Sequence, residues 1–321
     1  MSRVLLGAAY APFLLLCLLG GAAWSQTVSL AERQEDAARI VPVALGAEAV
    51  IGDVGDRARA RLLGPAEERH GGIAVWGTVR GQPLVNFDSA GFDGRLLGGA
   101  FGIEGMASSS VLVGARIGYD DTNLTTALDG LPGHLDSRSF SIIPYAAWKP
   151  GETWVFDAHI GFKRTEFDFF NGGVGAEVNS DRFIAGLGAS ALYGFAGLQV
   201  IPRFSGLIAV DSAVSFTDSA GIDVPTNRLT YFEASGGAEI GYPVQLGAMR
   251  LTPWVAGHIV GVLDDVGGAS LVGDTVFGRF GAGLRLGAGP LDIVLEGRAS
   301  GFGPRDFNDY QGMLRIAYSF Q

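Results

Sequence analysis

From Gly72 to the end of the chain, apolar and polar residues alternate with a period of two. In the last stretch Gly312, Leu314, Ile316, Tyr318 and Phe320 alternate with Met313, Arg315, Ala317 and Ser319. Successive side chains of a strand point to opposite faces, so one face here is apolar and the other carries a charge. In lipid such a strand cannot be a free edge, because each unpaired N–H or C=O group costs several kcal/mol. It must pair with the chain before it and with the first strand, closing a ring. The alternation predicts twelve strands, at 72–83, 94–105, 110–121, 137–149, 153–165, 181–194, 198–213, 229–243, 249–263, 275–287, 290–301 and 310–320. About 10 tilted residues suffice to span a bilayer, and an even number returns both chain ends to the periplasmic side. The predicted fold is all-β: a 12-stranded antiparallel transmembrane β-barrel.

The alternation also assigns faces. Val111, Val113, Ala115, Ile117 and Tyr119 face lipid, while Arg116 and Asp120 face in. Phe183, Ala185, Leu187, Ala189, Ala191 and Tyr193 face out, opposite Arg182 and Ser190. Phe280, Leu284, Leu291, Ile293 and Leu295 continue the lipid face, against Arg279, Arg285, Asp292, Glu296 and Arg298 inside. An Arg or Lys facing lipid at mid-bilayer costs about 2–4 kcal/mol, which explains the segregation. A soluble barrel would reverse it. The lumen face thus holds Glu104, Arg116, Asp157, His159, Lys163, Arg203, Glu233, Glu239, His258, Arg279, Arg285, Glu296 and Arg298.

The connections alternate in length. Met106–Ser109, Lys149–Thr153, Gly194–Gly197 and Gly287–Gly289 are tight, as periplasmic turns are. The stretches 121–136, 166–179, 216–228 and 264–274 are predicted as long outer loops. Trp148, Trp154, Tyr193, Phe195, Tyr242, Tyr318 and Phe320 cluster near the tight turns as an interfacial girdle.

Residues 1–25 read as a secretory signal. Arg3 is basic, 11–19 are apolar but too few to span as a helix, and Ala23 and Ser25 are the small residues before a cleavage site. Residues 26–71 form a separate helical linker or plug before the barrel of 72–321. Ser29-Leu30-Ala31-Glu32 has the form of a capping box, Pro42 ends that helix near Ile40, and a second helix is predicted over about 44–63. Gly64-Pro65 and Gly71-Gly72 mark the passage into the first strand. The second helix carries Arg57, Arg59 and Arg61. Two placements are open: threaded through the lumen, with its arginines against carboxylates such as Glu104, Glu233 and Glu239, or a periplasmic lead-in.

Composition narrows the class further. The 321 residues include 50 glycines, about twice the usual share of about 7 %, and only 17 % are charged. The single cysteine, Cys17, lies in the signal, so the exported chain has no disulfide. A net charge of −10 argues against nucleic acid as a partner. No stretch of about 20 apolar residues offers a transmembrane helix.

Several motifs carry a resemblance. The run Ala74-Val75-Trp76-Gly77-Thr78-Val79-Arg80-Gly81 opens the barrel, and Gly91-Phe92-Asp93-Gly94-Arg95-Leu96-Leu97-Gly98-Gly99-Ala100 forms a Gly-rich second strand. Tyr145 to Gly151 makes a fourth-strand turn, and Arg315 to Phe320 closes the chain. In their order they are similar to the autotransporter-type outer-membrane β-barrel domain, over about residues 72–321. The resemblance implies a barrel that anchors or exports a passenger, with a linking helix in its lumen. It departs at Arg315, where the family commonly has glycine, and at Gln321, which follows the terminal aromatic.

No catalytic constellation emerges. His70 precedes the barrel, His134 lies in an outer connection, and His159 and His258 face in without a nucleophile–base–orienter trio. Asp157, His159 and Lys163 share one inner face and are predicted to form a polar lumen network. No metal-spaced His/Cys cluster and no nucleotide-binding motif is present, so neither a metal nor a cofactor is expected. The carboxylates Asp121, Asp129, Asp136, Glu166, Asp168, Glu177, Asp264, Asp265 and Asp274 are predicted in solvated outer loops. Three roles remain open: an anchor or minimal translocator without a substantial passenger, a porin-like channel for small solutes, or a surface adhesion protein acting through acidic loops. Expected partners are outer-membrane lipid and lipopolysaccharide, and the barrel assembly machinery through the closing strand with Tyr318 and Phe320. The expected state is a monomer in the outer membrane of a Gram-negative bacterium.

Overall fold

The structure, a computed structural model, describes residues 50, 52–63, 72–87, 92–126, 132–221, 223–226, 228–266, 275–302 and 308–320. The signal segment 1–25, the capping box at Ser29, the helix end at Pro42, the Gly64-Pro65 passage and His70 lie outside these residues. Among the carboxylates predicted in loops, so do Asp129 and Asp274.

The strands are β1 (Ile73–Phe87), β2 (Phe92–Ser108), β3 (Val111–Thr126), β4 (Gly133–Trp148), β5 (Trp154–Asn171), β6 (Val174–Ala191), β7 (Tyr193–Phe195) and β8 (Leu198–Ala213). They continue as β9 (Phe216–Thr217), β10 (Asp223–Val224), β11 (Arg228–Gly241), β12 (Val244–Leu246), β13 (Met249–Val266), β14 (Thr275–Ala288), β15 (Leu291–Phe302) and β16 (Asn308–Ser319). Twelve of them build the wall, each antiparallel to its neighbours in chain order. The ring closes where β1 meets β16, from Ala74 opposite Ser319 to Val85 opposite Asn308. On the far side β8 pairs β11, from Arg228 opposite Ser212 to Gly241 opposite Gln199. Every long strand therefore has two partners, which leaves no sheet edge to lipid. The short β7 and β12 extend β6 and β11 at the tight-turn rim, and β9 and β10 form a separate small hairpin.

The predicted faces hold through the membrane belt. Phe101, Ile117, Ile160, Phe183, Leu187, Phe280 and Leu295 point outward and are exposed, while Arg116, Lys163, Arg182 and Glu296 are buried inside. Trp148, Tyr193, Phe195, Tyr242, Tyr318 and Phe320 are exposed at the tight-turn end. Ala191 departs from its predicted place on the lipid face and is fully buried. β6 ends there, and the alternation is lost at the break before β7.

The outer ends differ from expectation. Residues 166–179 are not a loop: β5 runs on to Asn171, turns at Gly172–Gly173, and returns in β6 from Val174. Both turn glycines have positive φ, 58° and 91°, which the tight turn demands and other residues rarely adopt. Asp121, Asp136, Glu166, Asp168, Glu177, Asp264 and Asp265 accordingly stand on strands, not loops. Across β2–β6 the side-chain parity continues above the belt while the chemistry reverses. On β5 the outward series Phe156, Ile160, Phe162 gives way to Arg164, Glu166, Asp168. The inward series Asp157, His159, Lys163 gives way to the buried Phe167 and Phe169. Leu124, Leu135 and Val178 join that upper interior, and Phe169 packs edge-on against Phe216 of β9, with ring centres 5.9 Å apart. Lipid thus surrounds the lower barrel and water the upper collar, and each medium sets which face is apolar.

Candidate functional site

A helix occupies the lumen, seen over residues 52–63 with Val50 at its start. Val50, Val54, Ala58 and Leu62 recur every four residues and so form one stripe. The stripe packs on an apolar patch of the inner wall made by Trp76, Leu112, Ile143, Tyr145, Ala147, Val155 and Ala317. Small neighbours make room for the aromatics. A Cβ on Gly114 would lie 2.5 Å from the Tyr145 ring, and one on Gly102 would collide with Trp76. Trp76 Nε1 donates to the Tyr145 hydroxyl at 3.1 Å, and that hydroxyl donates to Glu104 at 2.6 Å.

The rest of the helix surface is charged. Arg57 pairs with Glu104 and lies 3.6 Å from Asp292. Arg61 lies 3.4 Å from Glu104 and donates to Ser319 Oγ at 3.0 Å and to the Gly72 carbonyl at 2.7 Å. Arg59 pairs with Asp56 and stands 4.0 Å from Glu239. Asp53 accepts from Arg116 Nε at 3.1 Å and from Thr78 at 3.4 Å. Asp56 accepts from Arg203 and, at 3.3 Å, from Arg315. Arg61, at the C-terminal end, meets both the start of β1 and the end of β16. The helix therefore runs down the lumen towards the tight-turn rim.

The predicted lumen residues divide into two groups. Glu104, Arg116, Arg203, Glu239 and Arg285 surround the helix; Arg285 grips Glu239 with two bonds of 2.6 and 2.7 Å and stacks over Trp254 at 5.0 Å. Lys163, Glu233, Arg279, Glu296 and Arg298 pair within the wall. Glu233 takes Arg279 at 3.3 Å, not a helix arginine, and accepts from the Tyr231 hydroxyl at 2.8 Å. Glu296 pairs with Arg298. Asp157, His159 and Lys163 do not form the predicted network. Lys163 sits four residues beyond His159, roughly 13 Å along the strand at about 3.3 Å per residue. It passes the small Ser141 to bind Asp120 at 2.8 Å, where Arg80 also pairs. Both His159 ring nitrogens are buried without a hydrogen-bond partner among the described residues. Asp157 and His258 line a cavity of about 70 Å³ beside Gly52 and Gly55 of the helix.

Sequence reading missed Asp53 and Asp56, the acidic half of the helix. It also missed Asp211, which accepts from Arg182 at 3.1 Å and from Ser180 at 3.0 Å. The available signal was the surplus of inward arginines on the wall, which calls for carboxylates on whatever fills the lumen. Among the described residues no three His, Cys, Asp or Glu side chains converge as a metal site.

The protein is a closed 12-stranded barrel threaded by a charged helix, and the sequence pattern of one family, described as Autotransporter beta-domain, matches residues 75–294. The chain belongs to the autotransporter β-domain family. Autotransporter β-domains are translocator barrels, and this one is a membrane-anchoring translocator of the Gram-negative outer membrane. The fold is similar to the β-domain of the Bordetella autotransporter BrkA, at 17 % identity and a TM-score of 0.64, covering 78 % of this chain and 99 % of that one. It is also similar to the translocator domain of NalP from Neisseria meningitidis, at 14 % identity and 0.64, covering 86 % and 98 %. The transport unit of AIDA-I from Escherichia coli matches at 13 % and 0.61, covering 83 % and 96 %. No curated protein sequence matches the chain. Membership of this family favours neither a porin-like channel nor adhesion through acidic loops.

Proposed function

We propose that the helix is the resting plug of this autotransporter barrel, held by ion pairs on one side and the valine–alanine–leucine stripe on the other. The supporting observation is that four charged residues of one short helix, Asp53, Asp56, Arg57 and Arg61, each meet an opposite charge on the wall. Burying that many charges is unfavourable unless each is paired, so the arrangement fits a helix with one seat. In this reading residues 1–25 direct export and are removed, 26–71 form the linker and plug, and the barrel works as an anchor and translocator rather than as an enzyme. The closing strand, ending in Tyr318 and Phe320, is the segment offered to the assembly machinery, and the aromatic girdle beds the monomer in outer-membrane lipid below lipopolysaccharide.

Single-channel conductance in planar bilayers tests the plug. The protein starting at Gln26 should be closed, and one starting at Gly71 should open. Equal, steady conductance in both would overturn the plug and return the porin-like reading.

A further inference from the structure

Two neighbouring hairpins at the tight-turn rim carry an apolar outer face. One joins β7 to β8 through Ala196 and Gly197, and the other joins β12 to β13 through Gly247 and Ala248. They lie side by side, since a Cβ on Gly197 would be 3.7 Å from the Tyr242 ring. The register settles which side chains point out. Tyr193 stands opposite Val200, Phe195 opposite Leu198 and Leu246 opposite Met249. Gln199 and Arg250, which alternate with them, line the lumen beside Arg285 and Ser319. Directly opposed residues share a face, so the six apolar side chains share the outer one. Phe195 is 74 % exposed, and Tyr193, Leu246 and Met249 are exposed with it.

These hairpins descend below the level at which the wall ends on β4 and β5. Trp154 stands opposite Ala191, and Phe195 lies four residues further on. At about 3.3 Å per residue and about 40° of tilt, those residues descend roughly 10 Å. The register climbs about 3 Å from β5 to β6, which leaves Phe195 roughly 7 Å below Trp154. Leu246, five residues beyond the Gly241 that stands opposite Gln199, reaches as low. Beside Trp154 the wall ends in a charged turn, with Lys149 3.6 Å from Glu152.

Turn chemistry sets the two hairpins apart as well. Turns in water favour Gly, Asn, Asp and Ser. The β2–β3 turn is Ser108-Ser109-Ser110, whereas Leu192 to Leu198 holds no charge, amide or serine. Ala196 has a φ of 51°, and no other non-glycine residue among the described ones has a positive φ. Asn adopts that conformation with less strain, so alanine here keeps the tip apolar at a conformational cost. The outer face also runs straight into the lipid belt, through Leu187 on β6 and through Phe204 and Ile208 on β8, all exposed. A protein interface carries a polar rim, which this face lacks.

We propose that the two hairpins form an apolar lip sunk among the acyl chains of the inner leaflet, so that the barrel sits deeper there than at the β4–β5 turn. A tilt of the barrel, or a leaflet lowered around the lip, accommodates the difference in height. The lip is a property of the wall and does not depend on the plug.

From Gln26 onward the chain has no cysteine, so single labels report on the lip. Phe195→Cys, Leu246→Cys and Glu152→Cys, each carrying the fluorophore NBD, are placed in nanodiscs of chain-brominated phosphatidylcholine or exposed to iodide in unbrominated ones. Labels at 195 and 246 should lose most of their emission to the brominated chains and little to iodide, and the label at 152 should do the reverse. Ala196→Asn gives a check without a label. In water it would ease the turn and raise the urea midpoint in vesicles; among acyl chains it buries an amide and should lower that midpoint. Iodide quenching at 195 and 246 equal to that at 152, or a raised midpoint for Ala196→Asn, would overturn the proposal. So would shielding of both lip labels from both quenchers, which would mean that a second copy of the chain covers the lip.

Discussion

Arg57 of the lumen helix and Glu104 of β2 meet inside the barrel, each only 2 % exposed. Arg61 and the Tyr145 hydroxyl converge on the same carboxylate, so Glu104 holds the helix to two parts of the wall. Removing one member of such a pair leaves a buried charge without its counterpart, at about 3–5 kcal/mol. Glu104→Gln should therefore lower the urea midpoint of the detergent-solubilised barrel, and Arg57→Glu should do the same. The exchange Arg57→Glu with Glu104→Arg should recover part of the loss. Equal midpoints for all variants would show that the pair contributes nothing.

Val54 lies at the centre of the apolar stripe and is fully buried. Val54→Asp places a carboxylate against the apolar patch, where a polar group without a partner is strongly disfavoured. The helix should lose its seat while the wall keeps its ladders. The expected readout is a rise in ion conductance with unchanged β-signal in circular dichroism. A closed channel would mean that the ion pairs alone hold the plug.

Gly114 faces Tyr145 so closely that a side chain has nowhere to go, since the Ile103 carbonyl also lies 2.9 Å from its Cβ position. Gly114→Val should destabilise by about 1–3 kcal/mol through overpacking. Tyr145→Phe added to it should rescue little, because the backbone clash remains. Thermal unfolding of the single and double variants separates the two contributions.

The polarity reversal on β5 predicts three different outcomes along one strand. Ile160→Arg, facing lipid, should cost about 2–4 kcal/mol. Phe167→Arg, pointing into the apolar collar, should be comparably harmful. Glu166→Gln, on the watered face between them in level, should stay within about 0.5 kcal/mol. Folding yields into lipid vesicles over a urea series would rank them. Tolerance of Phe167→Arg would place the collar interior in water.

The ring was legible in the sequence because lipid enforces a simple rule on every strand, and the faces of Ile117, Leu187 and Arg116 follow from parity alone. The collar was not, because above the membrane the same parity carries opposite chemistry and charged outward residues such as Glu166 resemble a loop. Asn171-Gly172-Gly173 did carry the hairpin signal that would have extended both strands. The arginines of the helix pointed to Glu104 and Glu239, while Asp56 and its three arginines depend on register across β8 and β16, which no local pattern encodes. Lys163 chose Asp120 over its own strand for the same reason: the vacancy above Ser141 exists only once three strands are aligned.

From Arg164 to Asn171, β5 rises a further ~18 Å at about 3.3 Å per residue and about 40° of tilt. The barrel thus works as a chimney whose rim stands clear of the hydrocarbon on the side of β2–β6. Whatever leaves its mouth is released at that height rather than at the level of the lipid headgroups. Shortening the β5–β6 hairpin would lower the point of release without touching the anchor.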